Sequence, residues 1–566
     1  MTGRDDRPLA ELPVLLLDAQ ATASAATGGA LLEIGWAGVP EAESRELSPL
    51  DVTAHVVAPP AGAGVPPAVA RLTGLRTAEW QRGIAPGLAW ERLLCAAERV
   101  AAPPVPVVVH FARFEEPFLR ALHERHGSGP FPFSLVCTHA LACRLLPELP
   151  RRTLRALAGY FGAAVPLLRR SAEHVAATGL VWRHLVPLLA EREGVFSLAA
   201  LREYLAQPAR RAPRRFPFAR ERRRELPDRP GVYRFLRAGG TVLYVGKAAS
   251  LRSRVGSHFH AHAGQGERAL EMLTQVREVS CAETETALEA ALLEADEIKR
   301  LAPPYNKALA ADGRAVFFAT AGLESVRPKP DASHTIGPIG SQAPLEALHA
   351  LRSVLAGNGD PAGVLRARAV GVEPRWAPGT ECFAAGLAVF ARTHGRLESQ
   401  RHVERLGKAL WARRRADGDL KDGTDAEPAL ASRPTWDAER VTQALEETVL
   451  RAAHAVRRAC WLLRLSECSV AWTEPGAGKR RLLVIEAGAV TCRSDLDALD
   501  ELPIPPQHGR APAERRLAFD VATFDRLRVL TTELRGLLDE AEGLQLRLGP
   551  DVRLSRRRLR TVLRWI

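Results

Sequence analysis

The pattern of apolar and polar positions is most regular between residues 230 and 306. Two short strand-like stretches, residues 231–233 and 243–246, flank a Gly-Gly pair at 239–240, which predicts a β-hairpin with a tight turn. Residues 287–300 instead repeat their apolar side chains at helical spacing. Those apolar residues are Leu288, Ala291, Leu292, Ala295 and Ile298. The sequence therefore predicts a hairpin followed by a helix with one buried face.

Residues 12–190 show a different pattern, in which short apolar runs alternate with amphipathic stretches. Buried strands are predicted at residues 14–17, 31–37 and 105–110, and a long helix at 172–189. Such alternation favours a mixed sheet covered by helices.

The carboxy-terminal part of the chain reads as helices around a short hairpin. Residues 416–433 are polar, rich in Gly and Asp and without periodicity, which predicts a linker. Residues 439–463 predict a long amphipathic helix, and residues 469–472 and 481–486 predict a hairpin. The chain ends in RLSRRRLRTVLRWI, which predicts a docked amphipathic helix with a solvated arginine face; direct DNA contact is the alternative.

Composition limits the function classes. A chain of 566 residues predicts three or four domains. The net charge of +13 favours a polyanionic partner, although arginine richness also marks a GC-rich genome. The eight cysteines form no CxxC pair, which argues against a zinc ribbon, a disulfide framework and an iron–sulfur centre. The first residues lack an apolar signal core and no apolar run is long enough to span a bilayer, so we expect a cytoplasmic protein without membrane contact.

Candidate chemistry is concentrated around the predicted hairpin. Each strand carries a tyrosine, Tyr233 and Tyr244, and the predicted helix carries Glu294. The basic residues Lys247, Arg252 and Arg254 follow the second strand, and Asn306 closes the segment. A phenolate can take a proton from water, arginine can hold developing phosphorane charge, and a carboxylate can hold one divalent metal. This set suits phosphodiester cleavage; the alternative is two core tyrosines beside a solvated basic helix.

These residues resemble the GIY-YIG nuclease family, and within it the amino-terminal domain of UvrC and its Cho-like relatives. The resemblance covers roughly residues 227–310 as an ordered series, in PGVYRFL, VLYVGK and PPYN. It implies one hydrolytic nick in DNA, with Mg²⁺ or Mn²⁺ held by Glu294. It also implies catalytic roles for the remaining matched positions, which are Tyr233, Tyr244, Lys247, Arg254, His258 and Asn306.

His258 departs from the family, where UvrC proteins often have tyrosine. A histidine there can still donate to a phosphate or shuttle a proton. Tyr244 is our first choice for the general base, with Lys247 lowering its pKa, and Tyr233 is the rival.

The amino-terminal region resembles the DEDDh 3′–5′ exonucleases. The agreement lies in LEIGWA, VPPAVARLTGL, VVVHFARFEEPFL and THALACRLLPELPRRTLRALAGYFG. The catalytic positions agree less: Asp18 is retained, Gln20 replaces a glutamate and Glu115 replaces an aspartate. The last motif falls on Arg169 and His174. Because two-metal hydrolysis needs clustered carboxylates, we expect Asp18 and Glu115 to be a vestigial metal site in a fold that holds DNA.

The connector at residues 191–226 is rich in arginine, with Phe216 and Phe218 interleaved. Such a run could follow a phosphate backbone while the rings stack on bases; a solvated hinge is the alternative. The candidate nucleic-acid contacts are Arg210, Arg211, Arg214, Arg215, Arg222, Arg223 and, beyond the connector, Arg252.

We therefore predict a multidomain α/β and α+β protein. It combines a ribonuclease H-like exonuclease fold, a small α/β nuclease domain and a mainly helical carboxy-terminal region with a short hairpin. The predicted segments are 9–190, 191–226, 227–310, 311–415 (a region that in UvrC-like chains includes a turn resembling GPIGS), 416–435 and 436–566.

The favoured function is a nucleotide-excision-repair-like DNA endonuclease. Its expected partners are damaged duplex DNA and UvrA- or UvrB-like proteins, and it would be associated with a bacterial nucleoid. The alternatives are a dual nuclease with active 3′–5′ trimming and a non-catalytic DNA-binding adaptor.

Overall fold

The computed structural model divides the chain into two compact units. The first contains Met1–Ala287 and Pro303–Asn306, and the second contains Leu288–Ala302 and Lys307–Ile566. The described residues are 7–24, 28–39, 50–60, 62–163, 168–209, 212–260, 266–306, 315–360, 364, 378–416, 435–473, 480–497, 501–505, 512–517 and 519–566. The predicted linker at residues 416–435 therefore lies almost wholly outside the described residues.

A mixed five-stranded sheet forms the amino-terminal half of the first unit, in the order β3-β2-β1-β4-β5. The strands β1–β3 pair antiparallel, whereas β4 lies parallel to both β1 and β5. The strands are β1 (Val14–Ala21), β2 (Leu31–Val39), β3 (Thr53–Val56), β4 (Val105–Val109) and β5 (Phe133–Cys137). This confirms the predicted mixed sheet.

The unbroken apolar run at the start of β1 results from burial on both faces of the sheet. Successive side chains of a strand point to opposite faces. Val14 and Leu16 enter one hydrophobic cluster, and Leu15 and Leu17 enter another. The covering helices are α1 (Pro67–Thr73), α2 (Thr77–Trp80), α3 (Pro86–Val100), α4 (Ala112–His126), α5 (Thr138–Leu145), α6 (Leu154–Tyr160) and α7 (Ser171–Glu193).

A smaller antiparallel sheet follows in the same unit, in the order β7-β6-β8. The predicted hairpin is present, and its turn needs the glycine pair because Gly239 and Gly240 have φ values of +87° and +79°. The elements of this region are α8 (Leu198–Ala206), α9 (Arg220–Arg224), β6 (Gly231–Leu236), β7 (Val242–Ala248), α10 (Leu251–His258), α11 (Glu267–Gln275) and β8 (Glu278–Glu283).

The prediction that the connector's aromatic rings stack on bases is wrong. Phe218 is 3% exposed and packs in the core of the small sheet, where its ring lies 5.8 Å from that of Phe259. Phe216 is half-buried and meets the same ring edge-on. The apolar driving force of a nearby core outweighs base stacking for these two rings, and the connector forms α8 and α9 around them.

The second unit is built on long helices and two antiparallel sheets. The predicted helix around Glu294 is confirmed as α12, and the stretch at residues 383–414 forms two helices that separate at Gly395 (φ +67°). The first elements are α12 (Ala287–Leu301), β9 (Phe317–Ala319), β10 (Val326–Arg327), β11 (Ile336–Ile339), α13 (Ala343–Leu355), α14 (Thr380–His394), α15 (Gln400–Ala416) and α16 (Ala438–Leu465). Gly337 and Pro338, which the sequence placed in a turn, lie in strand β11.

The predicted carboxy-terminal hairpin is present but belongs to a larger sheet. Five antiparallel strands lie in the order β14-β13-β12-β15-β16. The remaining elements are β12 (Cys468–Thr473), β13 (Arg480–Glu486), β14 (Ala489–Leu496), α17 (Pro512–Leu517), α18 (Val521–Glu540), β15 (Glu542–Leu548), β16 (Val552–Ser555) and α19 (Arg556–Leu563). The terminal helix is docked as predicted, because Leu559 and Leu563 are buried. Among the described residues, no helix is long and apolar enough to cross a bilayer.

Candidate nuclease site

Two phenol rings meet over a glycine of the small hairpin. Tyr233 on β6 pairs with Gly246 on β7, and the Tyr233 and Tyr244 ring centroids lie 6.1 Å apart. A Cβ atom at Gly246 would lie 2.5 Å from the Tyr233 hydroxyl oxygen and 2.8 Å from Cε1 of Tyr244. A side chain at this position would therefore displace both phenols, which explains why the VLYVGK motif needs a glycine at Gly246.

His258 is hydrogen-bonded to the buried tyrosine. The Tyr233 hydroxyl lies 2.6 Å from Nε2 of His258, at the end of α10. Burial, and then the charge of Arg254, lower the pKa of His258 to about 4. The imidazole is therefore neutral at pH 7 and can accept the phenol's proton at Nε2.

The two tyrosines differ in their access to solvent. Tyr233 is fully buried, whereas Tyr244 is half-buried. Lys247 lies on β7 opposite Val232, and Arg254 is exposed on α10. A phenol that polarises a water molecule must reach that water, so the burial pattern favours Tyr244 for this contact and a supporting position for Tyr233.

Asn306 and Arg252 both hold the backbone. Asn306 accepts a hydrogen bond from the Val245 N–H (3.0 Å) and donates one to the Val245 carbonyl (2.9 Å). These two hydrogen bonds attach the end of the PPYN segment to β7, next to Tyr244. Arg252 donates from Nε to the Leu226 carbonyl at 2.8 Å. Sequence reasoning had assigned Asn306 to catalysis and Arg252 to nucleic acid, and the structure adds these backbone contacts.

Glu294 lies half-buried on α12, in the second unit. Apolar residues Leu288 and Leu292 of the same helix enter that unit's core, and Lys299 pairs with the buried Asp525 at 2.6 Å. Within the described part of the chain, no cluster of three or more His, Cys, Asp or Glu side chains is arranged to hold a metal ion. A single carboxylate fits a hard cation that keeps most of its water ligands, as Mg²⁺ does.

The exonuclease-like positions come together at one end of the large sheet. His174 Nδ1 lies 3.1 Å from Oδ1 of Asp18. Burial opposes a charge on His174, but the hydrogen bond and negative charge of Asp18 outweigh it and raise the pKa of His174. Burial, and then the charge of Asp18, raise the pKa of Glu115 to about 8. The site thus holds a hydrogen-bonded His174–Asp18 pair beside Glu115, whose raised pKa keeps it mostly protonated at pH 7.

This arrangement does not fit two metal ions. Gln20, at the position of the missing glutamate, donates from Nε2 to the Arg169 carbonyl at 2.8 Å. Only Asp18 and Glu115 supply carboxylates from the motif positions, and an imidazole occupies one oxygen of Asp18. Two hard cations need more negative charge than this site offers.

The connector arginines are distributed over two environments. Arg214 and Arg215 are exposed, whereas the guanidinium groups of Arg222 and Arg223 lie over the rings of Phe218 and Phe259. Arg210 and Arg211 lie outside the described residues. A role for the described four in DNA binding stays a prediction.

Sequence reasoning missed a polar cluster that links α6, α11 and the PPYN segment within the first unit. Tyr305 donates its hydroxyl proton to Glu271 (2.8 Å) and accepts a hydrogen bond from Gln275 (2.6 Å). Arg155 on α6 pairs with the same carboxylate at 3.2 Å, and Thr153 donates to it at 3.0 Å. In the sequence, Tyr305 of the PPYN segment was the one feature that could have indicated this cluster.

One family model and several known proteins are similar to parts of this chain. Residues 229–307 match the family model of the UvrC-like GIY-YIG domain. A Mycobacterium tuberculosis protein described as a bifunctional exonuclease/endonuclease is 33% identical over 318 residues, covering 54% of this chain and 46% of its own length. The UvrABC system protein C of Sphingopyxis alaskensis is 51% identical over 89 residues, covering 16% of this chain and 14% of its own. The chain thus spans less than half the length of either relative.

Two solved structures are similar to parts of this chain. The UvrC endonuclease domain of Thermotoga maritima, bound to magnesium as its catalytic divalent cation, is 32% identical and covers 15% of this chain and 93% of its own, with a TM-score of 0.14. Exonuclease X in complex with 5′-overhanging duplex DNA is 14% identical and covers 34% of this chain and 99% of its own, with a TM-score of 0.24. Residues 229–307 thus match the UvrC-like GIY-YIG domain.

Proposed function

We propose that this protein is a metal-dependent DNA endonuclease that makes a single hydrolytic nick through its GIY-YIG domain. The observation that carries the proposal is the pair of phenols crowded over Gly246, with Tyr233 hydrogen-bonded to a neutral His258 at 2.6 Å. A buried phenol–imidazole pair is a suitable path for one proton. With one such site, we expect one cut per event.

The proposed chemistry divides the work among this chain's own residues. Tyr244 acts as a phenolate that takes a proton from the attacking water and becomes the neutral phenol, because its ring is the more accessible of the two. Tyr233 and His258 support the ring of Tyr244. They can also pass a proton between the Tyr233 hydroxyl oxygen and Nε2 of His258. Lys247 and Arg254 face the scissile phosphate and hold its developing charge.

Glu294 is the residue that we propose holds Mg²⁺ or Mn²⁺. When bound, the cation supplies positive charge near the phosphate. A carboxylate held on a helix by buried apolar neighbours is a suitable single ligand for such an ion.

A nicking assay on supercoiled plasmid tests the proposal. We expect wild-type protein to convert supercoiled into open-circular DNA in Mg²⁺ and not in EDTA. Glu294→Ala should abolish nicking, and Tyr244→Phe should slow it at least about 100-fold if the phenol acts as a base. Asp18→Ala is the matched control, because it removes a carboxylate from the other fold. Wild-type nicking rates in both Glu294→Ala and Tyr244→Phe would refute the site.

The dual-nuclease alternative rests on the retained Asp18 and Glu115. It predicts that metal-dependent release of mononucleotides from a 3′ end disappears in Asp18→Ala. Release that persists in Asp18→Ala and is lost in Glu294→Ala would exclude it. A DNA-binding adaptor would instead bind DNA equally well with and without Glu294 and would cut in no divalent metal.

We further propose a role in excision repair of damaged duplex DNA. The support is the similarity of residues 229–307 to UvrC. Incision of a duplex with one bulky lesion, compared with the undamaged duplex and with or without UvrA- and UvrB-like proteins, measures this role. Equal incision of both duplexes under all conditions would contradict it.

A further inference from the structure

We propose that the amino-terminal fold binds one nucleotide of a DNA single strand in a metal-independent pocket, here named the arginine pocket. The pocket has a volume of about 760 Å³ and is lined by Phe111, His139, Cys143, Arg151, Arg152 and Arg214, among others. Pockets of this size accommodate small ligands. The inference deepens the DNA-holding role proposed for this fold and does not depend on nuclease activity.

The pocket lies where two parallel strands end. Phe111 follows β4, and His139 stands at the start of α5, directly after β5. Ligands commonly bind beyond the carboxyl ends of parallel strands. The His110 ring lies 5.7 Å from that of His139, and the charge of His174 acts on it as well, so the pocket adjoins the degenerate exonuclease site.

Positive charge dominates the lining. Arg151, Arg152 and Arg214 are described lining residues, and none of the described lining side chains is a carboxylate. Arg151 pairs at 2.8 Å with Glu267, which is 79% exposed, so solvent weakens that pairing. Arg152 donates to the Leu146 carbonyl at 2.9 Å, which orients its guanidinium at the pocket wall. Its Nη2 also donates to the Pro147 carbonyl, so Arg152 contributes positive charge to the pocket and not a free two-pronged hydrogen bond.

An aromatic platform lies beside these cations. Phe111 is 37% exposed, and its ring centroid lies 4.4 Å from that of His139. Burial, and then the charges of Arg152, Arg113 and Arg151, lower the pKa of His139, so its imidazole is neutral at pH 7. The two rings are inclined by 36°, so a base would stack on the exposed Phe111 ring, with the His139 ring beside it.

Two described residues of the connector, Gln207 and Arg215, are hydrogen-bonded to the amino-terminal fold through their backbone. Arg144 on α5 donates to the Gln207 carbonyl at 2.8 Å, and the Arg215 N–H donates to the Glu148 carbonyl at 2.9 Å. Arg214 precedes the second of these contacts. This contact fixes the main chain next to Arg214 before a ligand arrives, which reduces the backbone entropy lost on binding.

The test measures binding in EDTA with Glu294→Ala protein, so that failure of the nuclease proposal does not affect it. The probe is a fluorescein-labelled (dT)₆, followed by anisotropy. We expect saturable binding that weakens about tenfold in Phe111→Ala, the loss of one base–aromatic stack. Arg214→Ala should weaken it and lower the salt dependence by about one phosphate contact. Arg220→Ala, an exposed arginine of the same connector, is the matched control.

Cys143 supplies a readout that does not depend on substitutions. It lines the pocket, whereas Cys95 and Cys492 are exposed. We expect (dT)₆ to slow alkylation of Cys143 and to leave Cys95 unchanged. Equal weakening by Arg214→Ala and Arg220→Ala, unchanged Cys143 alkylation, or binding only in Mg²⁺ would overturn the proposal. Equal protection by dTMP and (dT)₆ would overturn the DNA strand as occupant in favour of a free nucleotide.

Discussion

Glu115→Gln should stabilise the amino-terminal fold at neutral pH. Glu115 is 3% exposed on α4, and burial together with the charge of Asp18 raises its pKa from 4.5 to about 8. In the unfolded chain the same carboxyl ionises near pH 4.5. A glutamine has nearly the same shape and cannot ionise in either state, so it removes the difference.

The magnitude follows from the two pKa values. The folded pKa is raised, so the contribution of Glu115 to stability is complete below pH 4.5 and is lost progressively as pH rises towards 8. Each pKa unit corresponds to about 1.4 kcal/mol. At pH 7 the unfolded state is favoured by about 3 kcal/mol through this one group. We therefore expect Glu115→Gln to gain about 2–3 kcal/mol at pH 7 and nothing at pH 4.

Hydrogen exchange measured by mass spectrometry is the suitable assay, since it reports the stability of individual segments of a multidomain chain. Peptides from β1 and α4 should exchange more slowly in Glu115→Gln than in wild type at pH 7. Glu116→Gln is the matched control, because Glu116 is a partly exposed neighbour paired with Arg120 and should change little.

Adding Mg²⁺ distinguishes a stability effect caused by the raised pKa of Glu115 from one caused by a metal ion bound at the exonuclease-like positions. We expect Mg²⁺ to leave the difference between wild type and Glu115→Gln unchanged, since the carboxylates do not fit two cations. Equal exchange in both proteins at pH 7, or selective protection of the wild type by Mg²⁺, would refute the reasoning.

Three further outcomes follow from the described contacts. Gly246→Ala should abolish nicking, because the new Cβ would lie 2.5 Å from the Tyr233 hydroxyl; plasmid nicking measures it, and activity close to wild type would contradict it. His258→Phe should slow nicking about 100-fold through loss of the hydrogen bond to Tyr233, and His258→Tyr should restore part of the rate in the same assay. Lys299→Met should destabilise the second unit by about 3–5 kcal/mol in urea unfolding, since it leaves the buried Asp525 without its 2.6 Å ion pair.

The regular elements could be predicted because each has a local cause. The apolar run of β1 required burial on two faces, the glycine pair at 239–240 required a turn, and the apolar spacing of α12 required a helix. The two tyrosines were found for the same reason, because each stands at a fixed offset from a glycine. Periodicity and motif spacing determine such features without knowledge of the rest of the fold.

Long-range partners could not be predicted. Nothing near Phe218 in sequence shows that its ring meets Phe259, and nothing near Asn306 shows that its amide pairs with Val245. The predicted hairpin of β12 and β13 is part of a sheet with three further strands, of which β15 and β16 lie more than fifty residues away in the sequence. Each of these contacts depends on how distant segments pack, which composition and periodicity do not encode.

Two histidines, His258 and His174, stand where the families that the sequence resembles place other residues. Their surroundings shift their pKa values in opposite directions. His258 is next to Arg254 and largely buried, so its pKa falls to about 4 and it stays a neutral partner for Tyr233. His174 is buried, which opposes its charge, but its hydrogen bond to Asp18 and the charge of that carboxylate outweigh burial and raise its pKa. A neutral imidazole can replace the hydrogen-bonding of a tyrosine hydroxyl, so we infer that the first substitution preserves proton transfer. His174 instead occupies one oxygen of Asp18 where the exonuclease pattern places a metal-binding carboxylate, so we infer that the second substitution preserves the fold and not the cleavage.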